Sequence, residues 1–134
     1  MYVTSLMYTL SNNKKKGFNH WDEVLDDELV LGAIPGEQHF EQLSTSKNAG
    51  GVGITSVLTL LEPHELVKSP FYTPVQSTQW QNRNIKHLWI RTEDYEPVSP
   101  QELIRGADWV HEQVTNLFLQ FFFAAFLFIF LLIF

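Results

Sequence analysis

Eighteen consecutive residues, "LFLQFFFAAFLFIFLLIF" at 117–134, hold one polar side chain, Gln120, and no charge. Just before them, "SPQELIRGADWVHEQV" reads as an ordinary amphipathic helix of a soluble domain. Such a switch restricts what the chain can become, and it admits three readings. As a helix the run would be roughly 27 Å long, enough to approach a hydrocarbon core of about 30 Å. That makes it a membrane anchor, although no lysine or arginine flanks it closely to set an orientation. As a core element it would have to hide eight phenylalanines, too many for a single strand or helix. As sequence that was never selected, it matches what thymine-rich codons of an intron or a shifted frame would encode. The abrupt change after Asn116 favours the last reading, with the anchor next. Either way the expected element is an apolar C-terminal helix.

The net charge of −6 comes from the first 116 residues. Phosphate-backbone binding needs a concentrated basic face, so nucleic acid is not expected as a partner. The only basic run, Lys14, Lys15 and Lys16, reads as a solvated loop or as a surface for anionic lipid headgroups. Cysteine is absent, which removes disulfides, thiolate metal sites and thiol nucleophiles. Residues 1–19 carry three lysines and no acid, a weak likeness to a mitochondrial presequence that the lack of arginine reduces.

Along the chain, "YVTSLMYTLSNN" has its apolar residues at helical spacing. "ELVLGAIP" predicts a short buried strand closed by Gly32 and Pro35. "GEQHFEQLSTSKNA" predicts a weak helix, and "GITSVLTLLE" and "NIKHLWIRTED" predict strands, the latter with Ile85, Leu88 and Ile90 inward. The segment between them bears prolines and predicts a surface excursion with a short helix at its end. In the last helix Ser99 is the N-cap, Pro100 the first helical residue and Glu102 the partner in a capping box. Leu103, Ala107, Val110 and Val114 form its apolar stripe. Alternating strands and helices imply an α/β fold with a mostly parallel sheet. The expected division is 1–19 as an N-terminal helix and basic segment, 20–116 as the α/β domain and 117–134 as the tail.

"GGVGITS" precedes a strand, whereas a phosphate-cradling loop comes after one, so its glycines read as a tight turn. His20, His39, His64, His87 and His111 show no metal-ligand spacing and read as surface or satisfied histidines. No metal and no cofactor are expected. "IRTEDYEPVSP" places Glu93, Asp94 and Glu96 between a strand and a capped helix. Ligand sites of open α/β sheets gather at the carboxyl ends of strands, and an acid there can be a general acid. Taken alone, the cluster is more often a solvated loop.

"LMYTLSNNKKKGFNHWDEVLDDELVLGAIP" resembles the opening of the mitochondrial-type dual-specificity phosphatases, the phosphatidylglycerophosphate phosphatase branch; Trp21, Asp22, Val30, Leu31, Gly32, Ala33 and Pro35 fit. "GGVGITSVLTLLEPHE" is similar to the next family strand, with its acidic loop at Glu62 and Glu65, and "NIKHLWIRTEDYEPVSPQELIRGADWV" to the strand, general-acid loop and helix after it. The resemblance spans 6–114. It implies an incomplete dual-specificity-phosphatase-like fold, with the family's general-acid aspartate at Asp94 and the loop proline at Pro97.

In that family a thiolate in a Cys-x5-Arg loop attacks phosphorus. Backbone amides and the arginine hold the phosphate oxygens, and the aspartate protonates the leaving group. This chain departs where a buried strand should lead into His-Cys-x5-Arg: it has "NLFLQFFFAAF" and no cysteine. The expectation is a truncated relative, inactive in this chain, with Asp94 a vestigial general acid and no nucleophile or phosphate-binding residue. Its family substrate would be a phospholipid or a phosphoprotein, and its place a membrane, the mitochondrion by resemblance. The alternative is a membrane-anchored, non-catalytic binding module. Lacking its central strand, the sheet should be unstable and prone to aggregate.

Overall fold

The structure, a computed structural model, describes residues 20–25, 29–93, 96–116 and 120–125. The expected helix within 1–19 lies outside the described residues. Among the described residues ten elements succeed one another. They are β1 (Trp21–Leu25), β2 (Leu29–Gly32), α1 (Glu37–Ser44), a 3-10 turn (Lys47–Ala49) and β3 (Ile54–Leu61). Then come a second 3-10 turn (Pro63–Leu66), α2 (Ser77–Asn82), β4 (Lys86–Arg91), α3 (Pro100–Asn116) and β5 (Gln120–Ala125).

The strands form one sheet in the order β1-β2-β5-β3-β4. β1 is antiparallel to β2, and every other pairing is parallel. The sheet is therefore mostly parallel, as its alternation with helices requires. β3 is buried at seven of its eight positions, Ser56 and Thr59 among them, as a strand covered on both faces requires.

The apolar tail corrects the sequence reading. Gln120–Ala125 is a strand, not a helix, and it fills the centre of the sheet. It aligns Phe121, Phe122, Phe123 and Ala124 with β2 residues Leu29 to Gly32, and it pairs along β3 from Ile54 to Leu60. A run without charges suits a strand flanked by strands on both sides, where the backbone groups find their partners in the sheet. The expectation of a missing central strand falls with it. Among the described residues, no helix is long and apolar enough to cross a membrane.

Two helices cover one face. Leu43 of α1 and Trp80 of α2 meet Val30, Ile54, Val57, Val75 and Ile85, all at most 4% exposed. α3 covers the other face, where Trp109, Val110 and Val114 pack on Leu58, Leu60 and Ile90. Ile85 thus joins the first core while Leu88 and Ile90 join the second, so the predicted inward set is split across the sheet.

α3 begins as expected. Ser99 Oγ accepts from the Glu102 amide at 3.3 Å, and Pro100 opens the helix. Its buried stripe is rotated from the expected one, however. Leu103 is 55% exposed and Ala107 is exposed, while Gly106 and Gln113 are buried. Gly106 explains the rotation. A Cβ there would stand 3.1 Å from Ile90 Cδ1, so its lack of a side chain lets the helix close on β4 along that line.

The glycine loop is the expected turn. Gly50 and Gly53 have φ of 87° and 75°, a region open to glycine without a steric penalty.

Candidate functional site

The parallel strands all end at one edge. Gly32 leads into Ala33 and Ile34, Leu61 into the Pro63–Leu66 turn, Arg91 into Thr92 and Glu93, and β5 closes at Ala125. By the crevice rule for open sheets, this edge is where a ligand would sit. Asp94, the aspartate assigned by resemblance, lies outside the described residues. Its neighbour Glu93 is exposed and stands 3.9 Å from Arg91, also exposed, which fits a solvated loop. Glu96 is exposed as well.

The acids after β3 are more ordered. The Glu65 side chain is 1% exposed, and its Oε2 accepts from the Glu62 amide at 2.7 Å. Glu62 in turn lies 3.3 Å from His64 Nδ1. The buried carboxylate thus shapes the turn by taking a backbone donor that would otherwise be unpaired. Thr92 and Trp89 tie the β4 exit to the β3 exit: the Thr92 amide and the Trp89 indole N–H both donate to the Leu61 carbonyl, at 3.3 and 2.9 Å.

Beside this edge the fold gathers groups that are far apart in sequence. His20 and His39 stack with ring centroids 4.0 Å apart, and Trp21 meets both edge-on. Tyr72 O–H donates to the Ile34 carbonyl at 2.5 Å, and His20 Nε2 reaches the same carbonyl at 3.0 Å. The Gly36 amide donates to His39 Nδ1 at 3.2 Å, so that nitrogen is unprotonated and the ring neutral. Burial, then the neighbouring His20, lowers the His39 pKa to about 4. Burial also lowers that of His20, against a smaller opposing effect from its bond to Ile34. Neutral rings with hydrogen-bond partners are poor general acids near neutrality.

A second constellation lies at the other end of β4. His87 bonds Thr59 Oγ1 through Nε2 at 2.9 Å and Ser77 Oγ through Nδ1 at 2.7 Å, and burial lowers its pKa. Both ring nitrogens are occupied by hydroxyls, which links α2 to β3 and β4. The sequence reading that His20, His39 and His87 are satisfied histidines agrees with these contacts, although it did not anticipate that His20 and His39 would meet. Only the sheet topology reveals that pair. No group of three or more His, Cys, Asp or Glu that could hold a metal is present among the described residues.

The comparisons with known proteins point the same way as this frame. Phosphatidylglycerophosphate phosphatase PTPMT1 of Arabidopsis thaliana is 29% identical over 117 residues, covering 86% of this chain and 31% of that protein. Phosphatidylglycerophosphate phosphatase PTPMT2 of the same plant is 29% identical over 96 residues, covering 71% of this chain and 36% of its own length. The chain is a partial relative of the mitochondrial-type phosphatases. It spans about a third of the length of the curated relatives it matches. No family model matches it.

Among solved structures, PTPMT1 in complex with PI(5)P superposes with a TM-score of 0.60 at 18% identity, over 80% of this chain and 64% of that one. Tk-PTP in its active form gives 0.59 at 17% identity, over 80% and 63%. At these identities the likeness establishes the fold alone: this chain shares the fold of those structures.

Proposed function

We propose that this chain is a non-catalytic relative of a phosphatase acting on phosphomonoesters of phospholipids, and that it keeps the phosphatase frame without the phosphatase chemistry. The observation that supports this reading is β5. In the resembled family a central buried strand leads into the Cys-x5-Arg loop. Here the strand in that position, Gln120–Ala125, is succeeded by "FLFIFLLIF". Those nine residues offer no thiolate to attack phosphorus and no guanidinium to hold its oxygens. By the resemblance Asp94 would be the acid that protonates a leaving alkoxide, and the 134 residues hold no cysteine to act with it.

The phospholipid class is preferred over a phosphoprotein because the relatives bear the name phosphatidylglycerophosphate phosphatase and one neighbour is solved with PI(5)P. A mitochondrial membrane is the corresponding location. The chain's role is then binding at a lipid headgroup, the non-catalytic alternative raised by the sequence.

The test has two arms. The 134-residue chain is assayed with an aryl phosphate and with phosphatidylglycerophosphate, and no turnover above buffer is expected. Turnover that disappears in Asp94→Asn would overturn the inactive reading. In the second arm a family-like His-Cys-x5-Arg segment replaces the residues after Ala125. Turnover lost again in Asp94→Asn supports the assigned frame. A folded graft without turnover would count against the phosphatase reading itself.

A further inference from the structure

The excursion after β3 carries a feature that neither the core nor the candidate site uses. Residues 67–71 present Val67 at 61% exposure and Phe71 at 68%, with Lys68 and Pro70 also exposed. Single exposed apolar side chains are ordinary. Here two flank a lysine on a tip that is held rigid from inside. The Ser69 amide donates to the Tyr72 carbonyl at 2.9 Å, and the Tyr72 amide returns to the Ser69 carbonyl at 3.4 Å. Ser69 Oγ accepts from the amides of Phe71 and Tyr72 at 3.3 and 3.0 Å and donates to the Tyr72 carbonyl at 3.2 Å. Tyr72, 4% exposed, then fastens the turn to the core through its bond to Ile34. Phe71 is therefore fixed outward on a preorganised turn, at little further cost in conformational entropy on binding.

The tip continues from Leu61 through the Pro63–Leu66 turn, so it projects from the same edge at which the parallel strands end. Its acidic neighbours are turned inward or held at the turn. Glu62 lies against His64, and Glu65 is buried on the Glu62 amide. The outward set is then valine, lysine, proline and phenylalanine. A projecting aromatic tip with a cation fits a soft, layered surface with anionic headgroups over hydrocarbon, rather than a shaped protein groove.

We infer that the 67–71 tip is an interfacial anchor that seats Phe71 and Val67 at the headgroup–acyl boundary of an anionic bilayer, with Lys68 among the headgroups. The inference deepens the phospholipid reading above by placing the candidate edge against the membrane. It is read by binding alone, so it can fail while that reading stands.

The chain has no cysteine, which makes single-site labelling clean. A polarity-sensitive fluorophore is attached to Phe71→Cys, Val67→Cys or, as a control on exposed α2, Thr78→Cys. Each labelled chain is mixed with vesicles of equal parts phosphatidylcholine and phosphatidylglycerol. The expected result is a blue shift and brightening at 71 and 67 but not at 78. In the unlabelled chain, Phe71→Ser is expected to weaken vesicle partitioning about tenfold or more. Lys68→Glu is expected to weaken it further on anionic vesicles than on pure phosphatidylcholine. Vesicle binding with no change at position 71, or with Phe71→Ser binding like the parent, would show that another segment holds the membrane. That result overturns the inference, as would a shift at 71 that depends on protein concentration alone and reports a second copy.

Discussion

Lowering the pH from 7 to 5 is expected to destabilise this protein through its buried histidines, His39 above all. The fold keeps His39 neutral: its ring is half-buried, stacked on His20 at 4.0 Å, and accepts the Gly36 amide at Nδ1. Its pKa falls from 6.5 to about 4. The unfolded chain, titrating near 6.5, then binds the proton that the folded one refuses. The stabilisation is thus complete above about pH 6.5 and is lost as the pH falls from there toward 4. The whole shift corresponds to roughly 3 kcal/mol, and solvent screening at a half-exposed ring reduces that to about 1–2 kcal/mol. Most of the interval to pH 5 lies inside the window, so His39 alone should remove about 1 kcal/mol, or about 0.5 M in urea midpoint. His20 and His87 are shifted in the same direction by burial and add to the loss. The assay is urea unfolding monitored by tryptophan fluorescence at both pH values, for the parent and for His39→Gln. The variant should show the smaller pH dependence. A parent midpoint that does not move, or an equal drop in His39→Gln, would refute the reasoning.

Four further perturbations test other parts of the structure. Gly51→Ala should cost about 3 kcal/mol or more, because its Cβ would stand inside the Thr45 carbonyl, a backbone group that cannot swing away. Gly50→Ala, with φ of 87° but nothing within 4 Å, should cost only about 1 kcal/mol, and paired thermal melts separate the two. Tyr72→Phe should cost about 1–2 kcal/mol in urea unfolding, since the Ile34 carbonyl loses its 2.5 Å donor while keeping His20. Ending the chain at Asn116 removes a strand that pairs with four residues of β2 and along β3. Far- and near-ultraviolet circular dichroism of that fragment should show no cooperative transition, and a sharp one would contradict the central place given to β5.

Much of the frame was legible because local signals agreed with it. Val57, Leu58 and Leu60 sit in a mostly apolar, β-branched run, "ITSVLTLL", which reads as a strand covered on both faces. Ser99 and Pro100 marked the start of α3. The tail was misread because composition measures apolarity, not pairing. Eight phenylalanines counted against a core element while β2 and β3, which end 88 and 59 residues before Gln120, were not yet placed beside Phe121, Phe122 and Phe123. The rotation of α3 was illegible for a similar reason. A stripe drawn through Leu103 and Ala107 ignores that Gly106 admits the closest approach to Ile90. The His20–His39 pair likewise exists only once the Ile34 exit of β2 and the start of α1 are brought together.

The central claim is that an apolar segment completes the phosphatase-type sheet from within this chain. Backbone hydrogen exchange across Gln120–Ala125 in the 134-residue chain tests it most directly. A strand bonded to β2 on one side and β3 on the other should exchange as slowly as β3 itself, through global unfolding. Rapid exchange of those six residues beside a protected β3 would contradict the account.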